Sequence, residues 1–191
     1  NAFESNDVST VVAKYLKETV PVSKNTLWDS NSTQIIDNQF IEFLQFRLMR
    51  DNGDNVLYNI DGTDDVYVEI VFNIKVFNPD LNVGFALYNS DMTLLFMSYN
   101  DDHKASVTNK FDTGRNTLIA KMPVKLLNTG DYTVQLISGI HNDQSIISRT
   151  DSNITISFSL EGNSERSNRW TYLRPTIITP LLEWKFKSIS K

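Results

Sequence analysis

The sequence predicts an all-β domain, a two-layer antiparallel sandwich of short strands, and three observations predict it. From Val66 to Val76 every second residue is apolar (Val66, Val68, Ile70, Phe72, Ile74, Val76). Tyr67, Glu69, Asn73 and Lys75 stand between them, which is the two-residue period of a strand with one buried face. Further short apolar runs recur along the chain, punctuated by turns rich in Asn, Asp and Gly. From Phe40 onward the apolar period is two, whereas only the first twenty residues show helical spacing.

Taken in order, Val8, Val11, Val12, Tyr15, Leu16 and Val20 recur three and four residues apart, the stripe of an amphipathic helix that Asp7 caps and Pro21 ends. A lone helix of this length is marginal in water, so its stripe needs a partner surface, either its own domain or one upstream. Val22 to Asn38 is polar, with Trp28, Ile35 and Ile36 as anchors, and reads as a linker. Strands are then expected at Phe40–Arg50, Val56–Ile60, Val66–Val76, Val83–Tyr88, Thr93–Tyr99, Asn116–Met122, Asp131–Ile140, Ile146–Arg149 and Asn153–Leu160. Asp51-Asn52-Gly53-Asp54 and Asp61-Gly62 are read as the turns that separate the first three. The chain divides accordingly into a helical lead-in and linker (1–38), a sandwich (39–162) and a C-terminal strand arm (163–191).

The stretch LLNTGDYTVQLIS, Leu126 to Ser138, narrows the class. A tight turn delivers Tyr132 into a strand whose Val134 and Leu136 share one face, while Thr133, Gln135 and Ile137 share the other. Immunoglobulin-like sandwiches carry a tyrosine at this corner, its hydroxyl bonded back to the backbone just upstream. Tyr132 is therefore read as structural. Two residues on, where antibody domains have a cysteine, stands Val134, so apolar packing closes the core instead of a disulfide. Beyond two prolines and a polar spacer, Leu182, Trp184 and Phe186 alternate with Glu183, Lys185 and Lys187, the pattern of one more half-buried strand. Its pairing edge belongs either to its own sandwich or to a second copy, in which case strand exchange makes a dimer.

Composition excludes several functions. A chain of 191 residues can bury a substantial core unaided. There is no cysteine, hence no disulfide, thiolate metal site or cysteine nucleophile. A net charge of −5 repels phosphate backbones, so no nucleic-acid partner is expected. No apolar run approaches the roughly 20 residues of a membrane helix, and the first residues have no signal-like core, so a soluble chain is expected. The chain begins at Asn1 and is read as a piece of something longer.

No phosphate-binding or dinucleotide glycine motif occurs, and no cofactor is expected. The two histidines, His103 and His141, have no companion at ligand spacing and are read as loop residues, so no metal site is expected. No G-x-S-x-G elbow supports a serine nucleophile. The Asp-rich turns lack the terminal glutamate of a calcium loop, and Asp101, Asp102 and Asp112 are no more suggestive than carboxylates in any acidic chain. The chain is not expected to be an enzyme.

A binding surface remains. Aromatic rings stack on sugar faces, and Asn, Asp, Gln and Arg match adjacent hydroxyls. Tyr67 and Asn73 lie on the non-core face of the Val66 strand. The strand expected beside it presents Gly84, Ala86 and Tyr88, two small residues forming a trough beside an aromatic wall. Gln135 looks onto the same side if the strands share a sheet, and Tyr99, Asp101 and His103 occupy a loop long enough to be functional. With Trp170 and Tyr172 these are the candidate carbohydrate-binding residues. The competing account is a solvated face whose tyrosines serve strand propensity.

The order of the pieces resembles the C-terminal domain of Wzt, the ATP-binding subunit of bacterial ABC exporters for O-antigen polysaccharide. The resemblance rests on VVAKYLKE in the lead-in, IEFLQFRLMRDNG, VYVEIVFNIKVF, the VGFALYNSDM hairpin, the MPVKLLNTGDYTVQLIS corner and the late tryptophan of PLLEWKF, from about Tyr15 to Trp184. Where a glycine is usual in that hairpin, Ser90, Asp91 and Met92 stand. The resemblance implies a non-catalytic, immunoglobulin-like domain that binds lipid-linked O-antigen polysaccharide at the cytoplasmic face of the inner membrane and offers it to the transmembrane subunit of the exporter. It further implies a homodimer with exchanged terminal strands, and an ATPase domain upstream of the Val8 helix. An extracellular carbohydrate-binding or adhesin-type module is the alternative, marked by a signal peptide upstream. A purely structural dimerisation domain is a third.

Overall fold

Period-two patterning becomes ten strands in the computed structural model, which describes residues 24–31, 38–102, 111–150, 153–162, 166 and 174–185. The helix expected over residues 8–20 lies outside these. The strands are β1 (Leu27–Asp29), β2 (Ile41–Arg50), β3 (Asn59–Ile60), β4 (Val66–Ile74), β5 (Leu81–Asn89), β6 (Leu94–Tyr99), β7 (Gly114–Lys121), β8 (Gly130–Ile140), β9 (Gln144–Ile147) and β10 (Thr155–Leu160). One sheet has the order β1-β2-β4-β7; the other has β3-β10-β8-β5-β6, with β9 hydrogen-bonded to β8. Every pairing is antiparallel except β3 with β10. The adjacency β10-β8-β5 is the G-F-C order of an immunoglobulin sheet, so the architecture is the β-sandwich that the sequence predicts.

The core lies between the sheets. Val66, Val68, Ile70, Phe72 and Ile74 of β4 face Val83, Phe85 and Leu87 of β5 and Val134 and Leu136 of β8, all buried. Each such side chain contributes about 1.5–3 kcal/mol by leaving water. In β2 the inward residues are Ile41 and Phe43, then Phe46 and Leu48, a phase slip of one that the bulge between Phe43 and Gln45 absorbs. Phe72 lies between Phe43 and Phe111, ring centroids 6.0 and 5.3 Å away. At the start of β8 the Tyr132 hydroxyl donates to the carbonyl of Asn128 at 2.7 Å, the expected corner, and Val134 is fully buried where a disulfide would stand in an antibody domain.

Four features differ from the sequence reading. Leu27–Asp29, within the expected linker, is a strand on β2, with Trp28 opposite Phe46 and buried. The Val56–Ile60 segment is a strand only at Asn59–Ile60, although Val56 is buried. The alternation of β4 stops at Ile74: the chain turns toward Asn78-Pro79-Asp80, and Val76 is 53% exposed. Finally, residues 181–185 form no strand, and Leu182 and Trp184 are 65% and 90% exposed rather than half-buried. Phe186 lies outside the described residues.

What does dock from the C-terminal arm is the segment before Pro180. Thr179 N donates to Leu126 O at 2.7 Å, Asn128 N to Ile177 O at 3.2 Å, and Leu127 and Ile178 form a bridge. The Asn128 side-chain amide donates to the carbonyls of Arg174 and Thr176, 2.7 Å each, and the Arg166 guanidinium bonds Thr179. These bonds hold the arm against the same corner that Tyr132 pins. In the β5–β6 hairpin Met92 adopts φ +56°, the left-handed conformation that a glycine would take without strain.

Candidate functional site

The sandwich has two outer faces, and the candidate residues divide between them. β4 pairs with β2 and β7, and β5 pairs with β6 and β8, so the expected neighbours β4 and β5 belong to different sheets. The apolar period explains the misreading: consecutive strands with inward faces pack across the core as readily as they pair side by side. Tyr67 and Asn73 therefore lie on one side of the molecule, and Tyr88, Tyr99 and Gln135 on the other.

On the β4 side, Arg47 Nε meets Glu69 Oε2 at 2.5 Å and its Nη1 meets Asn55 Oδ1 at 2.7 Å. Lys121 stands 5.8 Å from the centre of the Tyr67 ring and 2.8 Å from Asp65, whose carboxyl it holds below the usual range. Tyr67 is thus engaged by a cation of its own sheet.

On the β8 side, Ala86, Tyr88 and Ile137 form a small buried apolar cluster, with Met92, Leu94 and Tyr99 packed on it. Gln135 stands in register with Ala86 and Thr155, is buried, and donates from Nε2 to the carbonyl of Arg149 at 3.1 Å. Tyr88 and Gln135 accordingly form the bed of this face rather than its surface.

Beside this cluster, sharing Ile137 and Tyr99 with it, runs a groove of about 690 Å3, within the roughly 300–1,000 Å3 of small-ligand sites. Its floor is Asn82 and the end of β8 from Ile137 to Ile140. One wall carries Met97, Tyr99, Asp101 and Asp102; the other is the β8–β9 hairpin, from His141 to Ser145 and on through Ile147 to Arg149.

Local chemistry shapes both walls. A Cβ at Gly84 would collide with the Ser98 carbonyl and stand 2.9 Å from Cδ1 of the Tyr99 ring, so only glycine lets that ring lie against β5. Asp102 accepts from Tyr99 N at 2.8 Å and Ser98 Oγ at 3.1 Å, and Asn100 Oδ1 accepts from Val83 N at 2.8 Å, which ties the end of β6 to β5. The opposite hairpin turns through Asn142 at φ +58°, Asp143 N donates to Ile140 O at 3.1 Å, and His141 N donates to Asp80 O at 2.8 Å. Burial pushes the Tyr99 phenol above its ordinary range; the Arg149 guanidinium pulls it back, and Asp101 and Asp102 push it further up.

Of the sequence candidates, then, Tyr99 and Asp101 line the groove, Gln135 bonds the carbonyl of the groove residue Arg149, Tyr88 is buried on the same face outside the groove, and Tyr67 and Asn73 lie on the far face. His103, Trp170 and Tyr172 lie outside the described residues. The sequence reading missed Arg149 and the hairpin GIHNDQS, whose cluster of His, Asn, Asp and Gln at a turn was the available signal. Among the described residues no group of three or more His, Asp or Glu is placed to hold a metal. Among the described lining residues, the Tyr99 ring, four apolar side chains (Met97, Ile137, Ile140, Ile147) and side chains with opposed donors and acceptors make a surface suited to a polyhydroxylated ligand.

The structure is similar to the crystal structure of the C-terminal domain of Wzt, with a TM-score of 0.50 and 12% identity over 91% of this chain and 95% of that one. At that identity the likeness is one of fold. A weaker match, at a TM-score of 0.30 and 12% identity, aligns 70% of this chain with the whole of the PmoD soluble domain from Methylocystis sp. ATCC 49242 (Rockwell). No family profile and no curated protein sequence matches the chain.

Proposed function

We propose that this chain is a non-catalytic carbohydrate-recognition domain that binds O-antigen polysaccharide as the C-terminal part of the ATP-binding subunit of an ABC exporter. The observation that carries the reading is the groove beside β8, where the Tyr99 ring lies over Gly84 among Asp101, Arg149 and the polar hairpin. The likeness of fold to the Wzt domain supports the setting. In this reading Tyr99 and Asp101 touch the glycan, Gln135 holds the Arg149 backbone beside it, and the lipid-linked chain is presented to the transmembrane subunit at the cytoplasmic face of the inner membrane. The domain works as a homodimer, and the exposed Leu181, Leu182 and Trp184 support pairing of the tail with a second copy. Calorimetric titration with the producing strain's own O-polysaccharide, beside a heterologous one, tests the reading. Selective binding of the first is expected; equal binding of both, or of neither, contradicts it.

A further inference from the structure

The groove is not electrically neutral. Among the described residues, Asp101, Asp102 and Asp143 line it against one guanidinium, that of Arg149. Asp102 is committed to Tyr99 N and Ser98 Oγ, whereas among the described residues the side chains of Asp101, Asp143 and Arg149 have no hydrogen-bond or ion-pair partner. Free carboxylates on both walls offer acceptors only, and the free guanidinium offers donors only. Arg149 and Asp101 line the same groove as the Tyr99 ring.

A sugar hydroxyl both donates and accepts, so a pair of neighbouring hydroxyls satisfies an aspartate and an arginine together. A uronate carboxylate or a phosphate has no proton to donate at neutral pH. Placed beside Tyr99 it gains one cation and meets Asp101 and Asp102, and further along the groove it meets Asp143.

We propose that the groove takes an uncharged stretch of glycan, holding its hydroxyls between the Asp101 carboxylate and the Arg149 guanidinium across the Tyr99 ring, and discriminates against glycans that bear carboxylate or phosphate groups. This rests on the carbohydrate reading above and deepens it by naming the ligand class. The discrimination arises from repulsion as much as from attraction.

The test is a panel of immobilised bacterial polysaccharides, half of them neutral hexose or deoxyhexose polymers and half carrying a uronic acid or phosphate in every repeat, probed with the full chain at 50 and 500 mM NaCl. The strongest binders are expected to be neutral, with affinities that change less than about twofold with salt because no ion pair forms. For the strongest neutral binder, Arg149→Gln is expected to weaken binding about tenfold, the loss of one charge-assisted hydrogen-bonding group. Asp101→Asn with Asp143→Asn is expected to shift the ratio of acidic to neutral binding toward the acidic polymers by about tenfold. An acidic polymer as the strongest binder, or a ratio unmoved by the double variant, overturns the inference and leaves the carbohydrate reading standing. Failure of the whole panel to bind overturns both.

Discussion

The hydroxyl of Tyr132 donates to the carbonyl of Asn128 at 2.7 Å while its ring stacks on Phe158, centroids 5.3 Å apart. One residue thus closes the turn into β8 and joins it to β10 in the core. Tyr132→Phe keeps the ring and loses the bond, and is expected to cost about 0.5–1.5 kcal/mol in urea denaturation. Tyr132→Ala removes both and is expected to cost about 3–5 kcal/mol. Equal effects of the two substitutions would contradict this division of roles.

The Arg47–Glu69 pair is largely buried, its side chains 20% and 12% exposed. Arg47→Met leaves the Glu69 carboxylate without its partner in a poorly solvated place and is expected to cost about 1–3 kcal/mol. Adding Glu69→Gln removes the stranded charge, so the double variant is expected to be more stable than Arg47→Met alone. A double variant less stable than the single one would show that the charge was not what made the loss.

The phenols of Tyr58, Tyr99 and Tyr132 are all held above the ordinary value of 10.0, by burial first in each case. Folding therefore binds their protons more tightly than the unfolded chain does. Their contribution is fully present below about pH 10 and is lost as the pH rises through the folded-state values. The urea midpoint is expected to fall as the pH rises above about 10, and to fall less steeply in Tyr132→Phe. An identical slope in that variant would remove Tyr132 from the account.

Gly84→Ala drives a methyl group into the Ser98 carbonyl and the Tyr99 ring. Because β6 is the outermost strand of its sheet, the displacement is local, and the expected cost is about 1–3 kcal/mol with the sandwich intact. Glycan binding is expected to fall about as far as in Tyr99→Ala, roughly tenfold for the loss of one ring stack. Tyr99→Phe keeps the stack and is expected to bind within about threefold of the parent. Full binding by Gly84→Ala would show that the ring's placement does not matter.

How much of this was legible follows from what periodicity records. The alternation in β4 and β5 showed which residues turn inward, and the Asn128–Tyr132 turn showed the corner, because both are local properties of the chain. Which strand lies beside which is set by long-range pairing, so nothing local revealed that β4 and β5 belong to different sheets, and Tyr67 was grouped with Tyr88 across the whole thickness of the core. β1 is not legible because three residues are too few to show a period, so its Trp28 reads in sequence as an isolated anchor. The groove was half legible. Tyr99 and Asp101 stood out as an aromatic and an acid in one long loop, whereas Arg149 and the His141–Ser145 hairpin reach them only because β9 folds back on β8.

The most direct test of the account is to follow the backbone amides of the isotopically labelled chain by NMR while the producing strain's O-polysaccharide is added. The account predicts that the shifts concentrate at Tyr99 to Asp102, Ile137 to Ser145 and Ser148 to Arg149. Tyr67, Glu69 and Asn73 on the opposite sheet should stay still. Shifts confined to the β4 face, or an unchanged spectrum at saturating glycan, would contradict it.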